Sequence, residues 1–450
     1  MRNSKLNAFP TQPAYSLLVI VAVTMVVSWW LANYNSPETN AAAEDLFLAG
    51  VDRAGASTDG LVSSLQARLR EQPDDWQAYS QLGLAYLQKS RETGDPTYYQ
   101  KAEGAFQEAL SRQSEDYASI SAMGALALAR HQFSAALDWA ERARQINPSR
   151  PYAYGVIADA EIELGRYEDA VQTLQAMVDL RPDMSSYARI SYLRELYGDI
   201  DGALETMQMA VDSGVPKSES TAWTRTQFAN LYFNNGKLER AEIEYLRALE
   251  GYPGYVYALA GLGRVRAAQG RMNDAVSLLT RAGEAMPLPE FIIALGDLYQ
   301  ITGKPEAARK QHELLSVMQR LYQANGVDMD LEIALFNADH DLALQSTLAQ
   351  AYQAYERRPS TYAADVLAWV LYKAGDYREA QKFSQQALRL GTKDALKLFH
   401  AGMIHYRLGD HTQARRHLEL ALAINPHFSL LYAGEAQRTL DELATASSDN

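Results

Sequence analysis

The 450-residue chain contains no cysteine. That absence excludes disulfides, thiolate zinc sites, thiol catalysis and lipoprotein-type anchoring, but it leaves the redox compartment open. Basic residues are also in deficit: 42 Lys and Arg stand against 55 Asp and Glu, a net charge of −13. With no basic patch, RNA-binding signature or zinc-finger spacing, nucleic acid is a poor partner. The sequence also lacks a Gly-x-Ser-x-Gly elbow, a Walker loop, a dinucleotide fingerprint and an HExxH helix, so it indicates no enzyme and no cofactor. Hydrophobic residues nevertheless make up 47%, enough for a large folded body.

One segment differs from all the rest. No charge occurs between Leu6 and Pro37, and residues 15–34 (YSLLVIVAVTMVVSWWLANY) are apolar almost throughout. As a helix this stretch would span about 30 Å, the thickness of a bilayer core. Tyr15 at one end and Trp29, Trp30 and Tyr34 at the other suit the membrane interfaces. Arg2 and Lys5 precede it, and acidic residues dominate the stretch on its C-terminal side, which puts residues 1–14 in the cytoplasm. A signal peptide cleaved near Ala43, at NAAAED, is the alternative. The long apolar core and the distant cleavage site favour an uncleaved anchor. Both readings export the remainder. Residues 35–60, rich in Ala, Gly, Ser, Thr and Asp, read as a linker.

The rest is repetitive. Gly-x-x-x-x-Ala recurs seven times, at Gly165–Ala170, Gly198–Ala203, Gly236–Ala241, Gly270–Ala275, Gly303–Ala308, Gly375–Ala380 and Gly409–Ala414. Successive alanines from Ala170 to Ala308 lie 33, 38, 34 and 33 residues apart, and Ala380 to Ala414 is again 34. The gap of 72 between Ala308 and Ala380 holds one degenerate unit, at 316–360. Twelve residues after Ala136, Ala170, Ala241, Ala275 and Ala414 comes a proline, which stops the second helix of each unit. Such a period marks an array whose units bury their apolar faces only by stacking.

These residues resemble the tetratricopeptide repeat. Ala229–Tyr232–Ala241–Tyr245–Ala248–Pro253 and Gly263–Ala275–Leu279–Ala282–Pro287 fit its pattern closely, as does Gly402–Ala414–Leu418–Ala421–Pro426. The resemblance implies an all-α fold, a right-handed superhelical solenoid of nine to ten hairpins over 61–427, and the apolar run adds one transmembrane helix before it. A capping helix at 428–443 and a disordered tail at 444–450 complete the expected layout. The resemblance also implies a protein or peptide partner bound in the concave groove. Carried over by register, the groove residues are Tyr152, Asp159, Tyr192, Trp223, Asn230, Asn234, Tyr257, Arg264, Asp297, Tyr362, Trp369 and Tyr372. About half should be exposed and the others packed between repeats. Trp223 and Trp369, with Tyr257 and Arg264, are the expected anchors. The lysine of the family's carboxylate clamp has no counterpart, so capture of a chain terminus is not expected.

Two clusters are candidates for chemistry. His400, His405, His411, His417 and His427 are spaced by 5, 6, 6 and 10, so no neighbouring two share a helix face as metal ligands do. They read as packing and surface residues. In FNADHD (336–341), Asp339, His340 and Asp341 form a carboxylate–imidazole cluster suited to a cation or to acid–base work. The simpler reading is that Asn337 and Asp339 or Asp341 cap the following helix. The sequence taken together points to a non-catalytic scaffold, membrane-tethered or secreted.

Overall fold

A hairpin of two helices needs a residue that can turn left-handed between them, and here the sequence supplies one in almost every unit. In the computed structural model, which describes residues 57–448, all seven turn glycines have φ between 70° and 88°. Two units have no turn glycine, and in the earlier of them His131 takes the same conformation at φ 58°. The alanines after these turns are 0–4% exposed, because the paired helices cross there at close range.

The described residues form 22 helices and no strand. An unpaired α1 (Thr58–Glu71) is followed by ten hairpins. The first four are α2 (Trp76–Thr93) with α3 (Thr97–Arg112), α4 (Tyr117–Ala129) with α5 (Phe133–Ile146), α6 (Pro151–Glu163) with α7 (Tyr167–Leu180), and α8 (Met184–Leu196) with α9 (Ile200–Asp212). Next come α10 (Glu219–Asn234) with α11 (Leu238–Gly251), α12 (Val256–Ala268) with α13 (Met272–Ala285), and α14 (Pro289–Ile301) with α15 (Pro305–Ala324). The last three are α16 (Asp330–Asp339) with α17 (Leu344–Arg357), α18 (Thr361–Ala374) with α19 (Tyr377–Ala387), and α20 (Ala395–Arg407) with α21 (His411–Ile424). A final helix, α22 (Ala433–Ser448), packs on α21. It begins later than position 428 and continues past 443, so most of the expected tail is helical. The anchor at 15–34 and nearly all of the 35–60 linker lie outside the described residues. No described helix is long and apolar enough to cross a membrane.

The degenerate unit has a plain physical cause. α15 extends to 20 residues while α16 shrinks to 10, and the turn glycine is replaced by Asp341 and Ala343 at φ 54° and 45°. Capping by the Asx residues is not what occurs. The N-cap of α17 is Ala343 without a side-chain bond, Asn337 donates instead to Thr347 Oγ1, and Asp339 faces inward.

First and second helices differ sharply in burial. No residue of α4, α6, α8, α10 or α12 is exposed. The second helices keep one polar side facing outward. Units about six apart in the sequence also touch. The Tyr167 hydroxyl lies 2.9 Å from Thr361 Oγ1 and accepts from the Thr361 amide at 3.0 Å. The Asp328 amide donates to the Arg130 carbonyl, Gln132 Nε2 to the Gly326 carbonyl, and Asn425 Nδ2 to the Phe233 carbonyl. At Gly165 the backbone approach is so close that a Cβ would meet the Pro359 carbonyl at 2.6 Å. Successive turns of the solenoid therefore lie against one another.

Candidate functional site

The positions named from the sequence as concave are all buried or half-buried. Tyr152, Trp223, Asn230 and Trp369 are buried, at 8%, 5%, 6% and 1% exposure, and Tyr192, Tyr257, Arg264 and Tyr362 are half-buried. None of the eight is exposed, so the expectation that about half would face solvent is corrected. Trp369 in particular is interior. It stacks on His400 and Tyr372 at centroid separations of 4.1 and 4.7 Å, and its Nε1 donates to Asp339 Oδ1 at 2.8 Å. Asn230 is held by Tyr245, whose hydroxyl donates to its Oδ1, and by Gln227. Arg264 lies over the Phe233 ring at 4.3 Å, and Tyr257 meets Phe291 edge-on. Asp159 receives a bidentate pair of hydrogen bonds from Arg189 at 2.9 and 2.8 Å, with room made for the guanidinium by Gly155.

Where the turns meet, the interior is strongly polar. Arg358 sits 3.8 Å from Glu163 and 3.6 Å from Glu332, and its guanidinium covers the Phe133 ring. His131 Nδ1 lies 2.6 Å from the Asp328 carbonyl oxygen and 3.9 Å from Glu332. Burial pushes the Glu163 carboxyl up to about 7 against the pull of Arg358, and burial holds His131 below its usual value. Nearby, burial lifts Glu195 to about 8, although Asn234 donates to it. Arg358 with Glu163 and His131 with Asp328 tie units together across the seam, and these groups were not legible as a set in the sequence.

The C-terminal histidines resolve into pairs. His400 is fully buried with Nδ1 3.1 Å from Asp365 Oδ2. His405 stacks on His417 at 5.5 Å from across the α20–α21 hairpin, and His405 Nδ1 reaches Asp410 at 3.3 Å. Burial and the neighbouring His405 lower His417 to about 4. His411 lies against Tyr406, and the His427 amide donates to Asn425.

The 336–341 cluster is split three ways. Asp341 pairs with Lys373 at 2.8 Å, and Asp339 accepts from Trp369 and from the Tyr432 hydroxyl. Burial raises Asp339 to about 6. His340, at the end of α16, turns toward α14 and α15, where Asp297 Oδ1 lies 3.0 Å from its Nε2 and the His312 ring lies 4.6 Å from its own. Asp297, His312 and His340 are the one group of three or more such side chains, among the described residues, whose ligand atoms lie close enough to hold a metal ion, all within 4.8 Å of one another. His312 carried no sequence signal, since its partners lie on two other helices.

Comparison with known proteins identifies the repeat. Tetratricopeptide repeat models match residues 127–194, 226–289, 361–400 and 395–428. Among curated proteins, the DnaJ homolog subfamily C member 7 homolog of Schizosaccharomyces pombe is 28% identical over 159 residues, 34% of this chain and 32% of that protein. Anaphase-promoting complex subunit 7 of Arabidopsis thaliana is 28% identical over 146 residues, 32% of this chain and 26% of its own length. The matched stretch thus spans a third or less of these relatives. Among solved structures, the human IFIT1 dimer with m7Gppp-AAAA gives a TM-score of 0.49 at 15% identity, covering 90% of this chain and 94% of that one. The anaphase-promoting complex hetero-tetramer Cut9–Hcn1 gives 0.40 at 15%, covering 89% and 83%.

Proposed function

We propose that this chain, which carries tetratricopeptide repeats, is a non-catalytic scaffold that assembles protein partners outside the cytoplasm while tethered to the cell membrane by residues 15–34. The repeat fold itself points to protein interaction, and one of the curated relatives is by its name a subunit of a complex. The tether and the side of the membrane rest on the apolar run and its flanking charges.

The observation that carries the reading is where apolar surface remains. With the inner face closed, the large exposed hydrophobic residues of the hairpins fall mainly on second helices, among them Ile243 and Leu246 on α11 and Leu314, Val317 and Leu321 on α15. The α15 trio, 40%, 53% and 42% exposed, is spaced by three and four residues and forms a stripe beside the face that buries Leu315 and Met318. Such a stripe suits the apolar face of a partner helix. A second reading keeps the partner on the inner face through the half-buried Tyr257 and Arg264.

Crosslinking the full-length protein in intact cells, with Leu314→Glu/Val317→Glu and Tyr257→Ala/Arg264→Ala variants alongside, separates the two. The outer-face reading requires that the α15 variant lose its crosslinked partners while remaining folded. Undiminished crosslinking by that variant excludes this face. Recovery of the intact chain in the soluble fraction, rather than with membranes, would exclude the tether.

A further inference from the structure

We infer that Asp297, His312 and His340 form a binding site for a divalent transition-metal ion, with zinc the expected occupant. The site is built from three helices. Asp297 comes from α14, His312 from α15 and His340 from the C-cap of α16, so the ion joins the seventh hairpin to the irregular eighth.

The first argument is the state of the ligand atoms. Asp297 Oδ1, His312 Nε2 and His340 Nε2 are shielded from solvent; none makes a well-aligned hydrogen bond, and the polar contact among them is the 3.0 Å approach of His340 Nε2 to Asp297 Oδ1. The His340 side chain is 6% exposed and that of Asp297 17%. Buried polar atoms are normally paired. A partnerless His312 Nε2 beside a poorly aligned His340–Asp297 pair is accounted for by one shared cation. The second argument is shape. Gly296 lies directly under His312, and a Cβ there would meet Nε2 at 3.1 Å and Cδ2 at 3.2 Å. The missing side chain makes the space that lets the ring face Asp297. Phe336 fixes both imidazoles, at 5.0 Å from His312 and 4.6 Å from His340.

The third argument is chemical. Two imidazole nitrogens and one carboxylate oxygen are a donor set for zinc and its first-row neighbours, whereas calcium and magnesium take oxygen. Ligand atoms sharing a tetrahedral zinc lie about 3.3 Å apart. The Asp297–His340 pair is already at 3.0 Å, and all three atoms are within 4.8 Å. Small side-chain rotations close the remainder. The fourth position is left to water or to a partner's side chain. The ion would brace the segment after α15, where Gly326 and Asp328 meet Gln132, Arg130 and His131 across the seam.

The test uses the full chain, purified in detergent without a polyhistidine tag and stripped with chelator. Zn²⁺ titrated by calorimetry should bind at one equivalent and raise the thermal midpoint. Co²⁺ in its place should show the intense visible bands of a four-coordinate site. His312→Gln and His340→Gln should each weaken binding by about 100-fold or more, while Gly296→Ala, which displaces a ligand without removing it, should weaken it less. A His405→Gln/His417→Gln control should bind as the parent does. Should a histidine variant fail to fold by circular dichroism, Asp297→Asn gives the same reading. Equal affinity in parent and ligand variants would overturn the assignment, as would no Zn²⁺ binding by the folded parent at about 100 µM.

Discussion

Glu195 offers the sharpest test of the closed interior. Its carboxyl is 6% exposed, and burial raises it from 4.5 to about 8, with Asp394 adding to the rise and the hydrogen bond from Asn234 at 3.4 Å opposing it. A carboxyl whose folded value lies above its unfolded value binds its proton more tightly in the folded state. Its contribution to stability is therefore complete below about 4.5 and is lost as pH rises through about 8. At about 1.4 kcal/mol for each unit between those values, the ceiling on the loss is roughly 5 kcal/mol. Water entry and local relaxation reduce it, so a change of about 2 kcal/mol or more is the expected reading. Glu195→Gln removes the titration while keeping size and a carbonyl acceptor for Asn234. Urea unfolding of parent and variant at pH 5, 7 and 9 gives the difference in stability at each pH, and pH-independent costs of the substitution cancel. The variant should gain on the parent steadily from pH 5 to 9. A difference that is flat with pH would mean that Glu195 is solvated in the folded chain and that the inner face is open.

The same packing sets three further outcomes. Tyr167→Phe removes the hydroxyl that bonds Thr361 Oγ1 and its amide, so a loss of about 1–3 kcal/mol is expected, with faster amide exchange at Thr361; unchanged exchange would dissolve the seam. Gly261→Ala would drive a methyl into the buried Tyr245 ring and so disturb its bond to Asn230, at a cost of about 1–3 kcal/mol or more, read by thermal unfolding. Trp369→Ala should cost about 3–5 kcal/mol and leave Asp339 without its indole donor. Wild-type stability in that variant would return Trp369 to the surface.

What the sequence determined by itself is what one unit and its neighbour decide. Gly165, Gly198 and Gly236 mark turns because only a residue without a Cβ turns left-handed cheaply. Ala170, Ala241 and Ala275 mark crossings because nothing larger fits between the helices. Prolines such as Pro182 and Pro253 come just after the helix C-caps because they cannot continue the ladder. All of these are local, and they repeat, so the solenoid was legible from its period. The closure of the solenoid was not. It results from small rotations accumulated over about six units, and no spacing in the chain links Tyr167 to Thr361 or Asn425 to Phe233. An aromatic residue at a concave register position looks the same in sequence whether it faces solvent or packs between repeats, and only the stacked helices show Trp223 and Trp369 to be core. Asp297, His312 and His340 were likewise not legible as a set. His340 stood out only beside Asp339 and Asp341, and the stacking of three helices is what turns it toward Asp297 and His312.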